Sequence, residues 1–246
     1  MILKDISFSD PVQNILYDEV LLHLAEKEGA GEFLRFWESP QLFVVLGRIC
    51  KVEEDLKTEA LKADHVPVLR RASGGGTVLQ GQGCLNYSLV ISKHREKGLS
   101  DIGQSYQVIL QYIINALRRL DVNVGFWPIS DLAHNESKKK FSGNAQKRGK
   151  EYILHHGTIL YNFDLSLIER YLKIPKSIPD YRGDRGHLDF VCNIPLEADD
   201  IKSSIQKEFR ITENVNIVSE QEKALMGALK GQRDVCISLL SDLNNR

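Results

Sequence analysis

The sequence predicts an α+β domain built on a largely antiparallel or mixed sheet. Strand-like runs interleave irregularly with helical stretches, which points to segregated or mixed packing. The 246 residues are 42% hydrophobic and 26% charged, a globular composition of a length suited to one large domain.

Val12, Ile15, Leu16, Val20 and Leu24 recur mostly every four residues, so a first amphipathic helix is expected, closed by the glycines at 29–31. Phe33–Trp37 and residues 42–46 read as strands, split by the turn residues Ser39 and Pro40. A polar helix is expected over 53–62, then an extended run over 66–71. Leu85, Tyr87, Leu89 and Ile91 alternate with Asn86, Ser88 and Val90, the period of a half-buried strand. Ser100 or Asp101 can cap the strongest helix, whose apolar stripe is Ile102, Tyr106, Ile109, Leu110, Ile113, Ile114 and Leu117. Residues 122–127 and 152–163 read as strands, and 165–172 as a short helix. Residues 175–186 combine Pro, Gly and charge without periodicity, which predicts a mobile loop. From Asp199 onward the chain is helix-prone and carries no active-site chemistry.

Composition narrows the function classes. Net charge is −1, from 32 basic and 33 acidic residues, which disfavours a nucleic-acid binder. Cys50, Cys84, Cys192 and Cys236 are scattered, with no CxxC and no zinc spacing, so a reducing compartment and no metal site are expected. No apolar run reaches signal-peptide or membrane-span length, so the expectation is a cytoplasmic protein without membrane contact.

The richest segment is RRASGGGTV at 70–78, followed by Asn86-Tyr87-Ser88. Gly74, Gly75 and Gly76 lack Cβ atoms, so a ligand can lie against the backbone, and their N–H groups can form an anion-binding concavity. Arg70 and Arg71 offer forked donors to carboxylate or phosphate. The segment is neither a Walker A loop nor a dinucleotide fingerprint. On the glycines alone, a glycine-rich hairpin with two solvated arginines is an equal alternative.

This segment resembles the RRxSGGGxV…N-x-S stretch of the lipoate–protein ligase A and lipoyl/octanoyl transferase superfamily. Residues 140–146 (KFSGNAQ) resemble its catalytic-lysine segment. Residues 155–160 (HHGTIL), with Asp164-Leu165-Ser166, resemble HHGTLL…DLS. Asn14 with Asp18 and Glu19, and VLGR at 45–48, are weaker matches. The resemblance runs from about residue 12 to about residue 195. It implies a class II biotin/lipoyl synthetase-like catalytic domain over 1–198, with a short helical extension over 199–246 instead of a full accessory domain.

The resemblance also implies a reaction. Lipoate, or a similar chain such as octanoate, reacts with ATP and Mg2+ to give acyl-AMP and pyrophosphate. The acyl group then passes to a lysine of a lipoyl-domain acceptor, of the E2-subunit or H-protein type. Lys140 is the implied catalytic residue, an ammonium set between acyl carbonyl and phosphate. Arg70 and Ser73 are assigned to the phosphate or carboxyl end, and Gly74, Gly75 and Gly76 to the cradle. Thr77, Ser142, Gly143, Gly157 and Thr158 join the adenylate pocket, with Asn86 as support for the glycine turn. His156 is expected to hydrogen-bond the adenylate or orient Lys140; a buried strand histidine is as good a reading of it. Residues 181–187 match the adenylate-binding loop, from which Arg182 or Arg185 reaches phosphate. Phe36, Trp37 and Val45 either line an acyl tunnel or are plain core. Lys138, Lys139, Lys147, Arg148 and Lys150 are expected at the surface, where they attract an acidic acceptor.

The sequence departs from the family pattern in places. Gln80-Gly81 stands where the family has His-Asp, and only 51 residues follow Pro195, so an accessory chain is a possible partner. The competing reading is an octanoyl or lipoyl transferase working through a cysteine thioester, with Cys192 or Cys84 as thiol. Biotin ligation lacks its GRGRxGRxW-type segment. A non-catalytic lipoate-binding module does not account for Lys140 with both flanking motifs.

Overall fold

The computed structural model describes residues 1–232, 235 and 236. In chain order the elements are β1 (Ile2–Asp5), α1 (Pro11–Glu28), β2 (Phe33–Trp37), β3 (Phe43–Leu46), α2 (Val52–Asp55), α3 (Thr58–Ala63), β4 (Val68–Arg70), β5 (Val78–Gln80) and β6 (Cys84–Ser92). They continue with α4 (Ile102–Arg118), β7 (Val124–Trp127), β8 (Asp131–His134), β9 (Lys140–Arg148), β10 (Tyr152–Leu160), α5 (Ser166–Tyr171), α6 (His187–Phe190), α7 (Ala198–Phe209), β11 (Glu213–Asn214) and α8 (Glu220–Gln232). An eight-stranded mixed sheet runs β11-β1-β2-β6-β10-β9-β8-β7, parallel across its first three strands and antiparallel beyond. A second sheet, β4-β3-β5, carries the glycine segment between β4 and β5. The α+β expectation with a mixed sheet holds.

The expected first helix forms as α1. Asp10 caps it by accepting from the Val12 N–H, and Gly29 ends it at φ +65°, where a side chain would be strained. Asp101 likewise caps α4 by accepting from the Gln104 N–H at 2.7 Å. One apolar cluster joins Leu85, Tyr87, Leu89 and Ile91 of β6 to α4 and α7; another joins α1 to Val90 and Met226. The large sheet is therefore sandwiched between helices.

That sandwich corrects the half-buried reading of β6. All but its last residue are buried, because α1 covers the face that carries Asn86 and Ser88. The helix expected over 53–62 is two short ones, interrupted where Leu56 bridges Leu172 and the Lys57 N–H bonds to the Tyr171 carbonyl. Ile102 is exposed, off the stripe predicted for α4. The loop over 175–186 contains a 3-10 turn, Asp180–Arg182, whose Arg182 is buried. Downstream of 198, Ile201, Ile205 and Phe209 of α7 join the core shared with α4, and Val235 joins that of α1. The parts of the expected extension at 233–234 and 237–246 lie outside the described residues. No helix among the described residues is long and apolar enough to cross a membrane.

Candidate active site

Strand register gathers the predicted residues on one face of the large sheet. One row reads Trp37, Asn86, Thr158, Gly143, Asp131 across β2, β6, β10, β9 and β8. The next reads Arg35, Ser88, His156, Ala145. Rows two residues apart along a strand are separated by about 7 Å.

Lys140 reaches the first row through a β-bulge. Strict alternation from Gly143 would point Lys140 to the opposite face, but the register with β8 shifts between Leu132 and Ala133. The shifted phase lets Lys140 Nζ pair with Asp131 Oδ1 at 2.8 Å. A Cβ on Gly143 would lie 3.0 Å from that Nζ, so the glycine makes room for the ammonium. Asp131 also accepts from the Tyr181 hydroxyl at 2.7 Å. Burial, and then Asp131 itself, push the Tyr181 phenol's pKa up. One buried carboxylate thus holds both Lys140 and the loop over 181–187.

The second row is wired to the glycine segment. Arg35, fully buried in β2, donates to Asp18 Oδ1 at 2.6 Å and to Asn14 Oδ1 at 3.0 Å. Its guanidinium lies between the Tyr17 and Trp37 rings, 4.9 and 5.2 Å from their centroids. Asp18 Oδ2 accepts from Ser88 Oγ at 2.7 Å and faces His156 Nδ1 at 3.4 Å. Burial opposes ionisation of Asp18, yet Arg35, His156 and Ser88 together hold its pKa below the ordinary carboxylate value. His156 Nε2 meets Ser73 Oγ at 2.7 Å. Ile15, Asp18, Glu19, Arg71, Ala72, Ser73, Leu154 and His156 line one narrow cleft.

The two arginines divide the work unequally. Arg70 spends Nη1 on the carbonyls of Gly47, Arg48 and Cys50, and so fixes that turn. Arg71 lies in the cleft and donates to the carbonyls of Gly74 (2.6 Å) and Gly76 (2.7 Å), and to Ser73 Oγ at 3.0 Å. Burial pushes its pKa down to about 10. With those carbonyls taken, the N–H groups of Gly74, Gly75 and Gly76 donate to no acceptor among the described residues. Gly75 adopts φ +81°, and a Cβ on Gly47 would lie 2.0 Å from its carbonyl oxygen. These glycines are required by the turn and by the close approach of the two loops.

The remaining predicted residues fall at varying distances from this centre. Thr158 donates to Asn86 Oδ1 (2.6 Å), Asn86 to Gln80 Oε1 (2.7 Å), and Gln80 to Thr158 Oγ1 (2.7 Å). This closed ring uses Gln80, which stands where the family pattern has His-Asp. Thr77 turns away and donates to Asp55. Ser142 lies buried beside Asn144, and Gly157 leaves space that the Asn144 side chain fills. Arg182 and Arg185 stack on the Phe190 ring, and Arg185 donates to the Tyr181, Ser137 and Lys138 carbonyls. Phe36, Trp37 and Val45 are core residues outside the cleft lining. Lys147 pairs with Glu19 at 2.8 Å, and Arg148 donates to the Leu99 and Ser100 carbonyls, so neither is the free surface charge expected. Arg35, Asp131 and the bulge were missed. A basic residue inside an apolar strand was the only sequence signal for Arg35.

His155, beside His156, faces the opposite side. It is buried between the Tyr87 and Tyr106 rings and accepts from Gln146 Nε2 at 3.1 Å. Desolvation, and then His156, push its pKa down to about 3. Because the folded value lies below the unfolded one, the unfolded chain takes the proton first as pH falls. Stability is complete above about 6.5 and declines toward 3, by about 1.4 kcal/mol per pH unit. Urea unfolding at pH 5 should give a value about 2 kcal/mol below that at pH 7. His155→Phe should flatten that dependence.

Among the described residues no group of three or more His, Cys, Asp or Glu is placed to hold a metal ion. A family model described as the lipoyl protein ligase A/B catalytic domain matches residues 10–213. Lipoate–protein ligase 1 of Staphylococcus aureus is 29% identical over 211 residues, covering 82% of this chain and 60% of that protein. Octanoyltransferase LipM of Oceanobacillus iheyensis is 30% identical over 188 residues, covering 68% of this chain and 66% of the transferase. A bi-partite lipoate protein ligase from Thermoplasma acidophilum superposes with TM-score 0.79 at 22% identity, covering 94% of this chain and 92% of that one. An ATP-bound lipoate-protein ligase A structure has the same TM-score and identity, covering 94% of both chains. The chain spans about half to two thirds of the length of the curated relatives named first in this similarity.

Proposed function

The chain belongs to the lipoyl protein ligase A/B catalytic-domain family, and from that premise we propose that it is an ATP-dependent lipoate–protein ligase. Lipoate, or a similar acyl chain, is activated to acyl-AMP and then passed to a lysine of a lipoyl-domain acceptor protein. The observation that carries this reading is the pair of adjacent rows. They set Gly143, beside which the Lys140 ammonium lies, one row, about 7 Å along the sheet, from His156, which bonds Ser73 of the glycine turn.

That separation suits an acyl-phosphate group lying between them. The carboxylate attacks the α-phosphate, so two anions must meet, and Lys140 and Arg71 supply fixed positive charge. The unpaired N–H groups of Gly74–Gly76 suit phosphate oxygens. Mg2+ enters with the ATP phosphates and neutralises part of their charge. Arg182 and Arg185 sit on the loop tied down by the Tyr181–Asp131 bond, where they bond to each other's carbonyls and lie over Phe190. An acceptor lysine then attacks the acyl carbonyl, and AMP leaves with its phosphate charge still matched by Lys140.

The thioester-transferase reading draws on the LipM relative. Against it, Cys84 is fully buried, and burial pushes the pKa of both the Cys84 and Cys192 thiols up. Among the described residues neither thiol is paired with a histidine; Cys192 Sγ contacts the Lys139 carbonyl. The test is lipoate-dependent pyrophosphate release with Mg-ATP, followed by intact mass of an added lipoyl domain. Cys192→Ser should keep most of that activity. A cysteine-linked octanoyl adduct from an acyl-carrier donor, with no pyrophosphate release, would establish the transferase instead.

A further inference from the structure

Asn144 ties the strand that carries Lys140 to the residue just before Asp131. It lies buried in β9, and alternation puts its side chain on the sheet face opposite Gly143. Its row reads Phe36, Tyr87, Gly157, Asn144. Gly157 is small for a reason, since a Cβ there would lie 1.9 Å from Asn144 Oδ1. That Oδ1 accepts from the buried Tyr87 hydroxyl, while Nδ2 donates to the Ser130 carbonyl at 2.8 Å and to Ser142 Oγ at 3.4 Å. A carbonyl can only accept, which fixes the orientation of the amide. Burial pushes the Tyr87 phenol's pKa up, so its hydroxyl remains a donor. Ser130 Oγ returns a bond to the Asn144 carbonyl at 2.8 Å. The turn before β8 has few other supports among the described residues. Ile129 is 80% exposed, and regular pairing of β8 with β9 covers only Asp131 with Gly143 and Leu132 with Ser142 before the register shifts. Yet Asp131, next after Ser130, holds both Lys140 Nζ at 2.8 Å and the Tyr181 hydroxyl at 2.7 Å.

We infer that Asn144 is a positioning residue for the acyl-AMP chemistry. From the far face of the sheet its carboxamide sets the Ser130–Asp131 peptide, and through Asp131 it sets the Lys140 ammonium and the loop over 181–187. The inference rests on the proposed role of Lys140 in acyl-AMP formation and transfer. A carboxamide is specified here because one end must accept from a phenol while the other donates to a carbonyl. Leucine does neither and leaves both partners unsatisfied. Aspartate keeps the shape and still accepts from Tyr87, but it turns a second oxygen on the Ser130 carbonyl and repels it.

The test compares Asn144→Asp with Tyr87→Phe, which cuts the amide's other anchor and leaves the Ser130 bond in place. Ser130→Ala, at a partly exposed position, deletes only the returning bond and decides the matter if Asn144→Asp does not fold. At equal folded fraction, Asn144→Asp should slow single-turnover acyl-AMP formation and transfer by about 10- to 100-fold, with KM for ATP little changed. Ser130→Ala should act in the same direction by a smaller factor, and Tyr87→Phe should stay near the wild-type rate. Adding Asn144→Asp to Asp131→Asn should cost no further rate, because both act through one carboxylate. Hydrogen exchange over 130–132 and 181–187 should quicken in Asn144→Asp and Ser130→Ala but not in Tyr87→Phe. Equal rate losses in Asn144→Asp and Tyr87→Phe would make Asn144 a structural residue only and overturn the inference. Wild-type rates in both Asn144→Asp and Ser130→Ala, or a full further loss in the double variant, would overturn it too. If the wild-type protein releases no lipoate-dependent pyrophosphate, the ligase reading fails by itself. The exchange pattern then decides alone: selective quickening sustains the positioning of Asp131 and its partners, and uniform or absent quickening overturns it.

Discussion

Replacing Lys140 by Ala is expected to slow both acyl-AMP formation and acyl transfer by at least about 100-fold, with little change in stability. Removing one preorganised donor to a developing negative charge costs about 2.7–4 kcal/mol of transition-state stabilisation. The Lys140 side chain is 28% exposed, and its partner Asp131 keeps the Tyr181 hydroxyl when the ammonium goes, so the fold loses little. Lys140→Arg should not restore the rate. The ammonium occupies a compact slot over Gly143, where a Cβ would already approach Nζ to 3.0 Å, and a planar guanidinium cannot reproduce that placement. Asp131→Asn should be milder, because it loosens Lys140 and Tyr181 without removing the cation. Pyrophosphate release and single-turnover transfer from preformed lipoyl-AMP measure the two steps separately. Near-normal rates in Lys140→Ala would refute the assigned role.

The motif residues were legible because their chemistry demands unusual composition. Three glycines in a row soon after two arginines, and a lysine two residues ahead of Ser-Gly, stand out from the rest of the chain. The elements that aim them were less legible. β9 reads KFSGNAQKR, and its charge and glycine hide a strand that β8 and β10 enforce by pairing on both sides. The bulge that re-aims Lys140 depends on register with β8, which no local pattern encodes. Arg35 sits in the middle of FLRFW, a run that predicts a strand and says nothing of Asp18 on a different element. The sequence assigns Arg70 to the phosphate or carboxyl end, whereas Arg71 is the arginine that lines the cleft. The chain leaves β4 after Arg70, and in the turn that follows the period of two no longer applies. Long-range pairing, then, is where sequence reading lost the network that supports the candidate site, while the motif residues themselves stood out.

Asp18→Ala should lower folding stability by about 3–5 kcal/mol, a large share of the 5–15 kcal/mol typical of a domain. The carboxylate is the counter-charge for a guanidinium with no exposed surface, and truncation leaves Arg35 buried without it. Its carbonyl acceptors, Ile6 and Asn14, remain, but dipoles do not replace a full charge at 2.6 Å. Arg35→Met should also destabilise, for it strands the Asp18 carboxylate beneath α1 with Ser88 and His156 as its remaining donors. Because the single changes each expose the same missing partner, the double variant Asp18→Ala/Arg35→Met should be more stable than the sum of its singles predicts. A coupling of about 0.5–3 kcal/mol is expected for residues in direct contact. Urea unfolding of the four proteins closes the cycle, and strict additivity would show that the pair does not act as a unit. The same cycle bears on chemistry. Asp18→Ala should depress acyl transfer more than Arg35→Met does at equal folded fraction, since only the first removes the carboxylate facing His156 Nδ1.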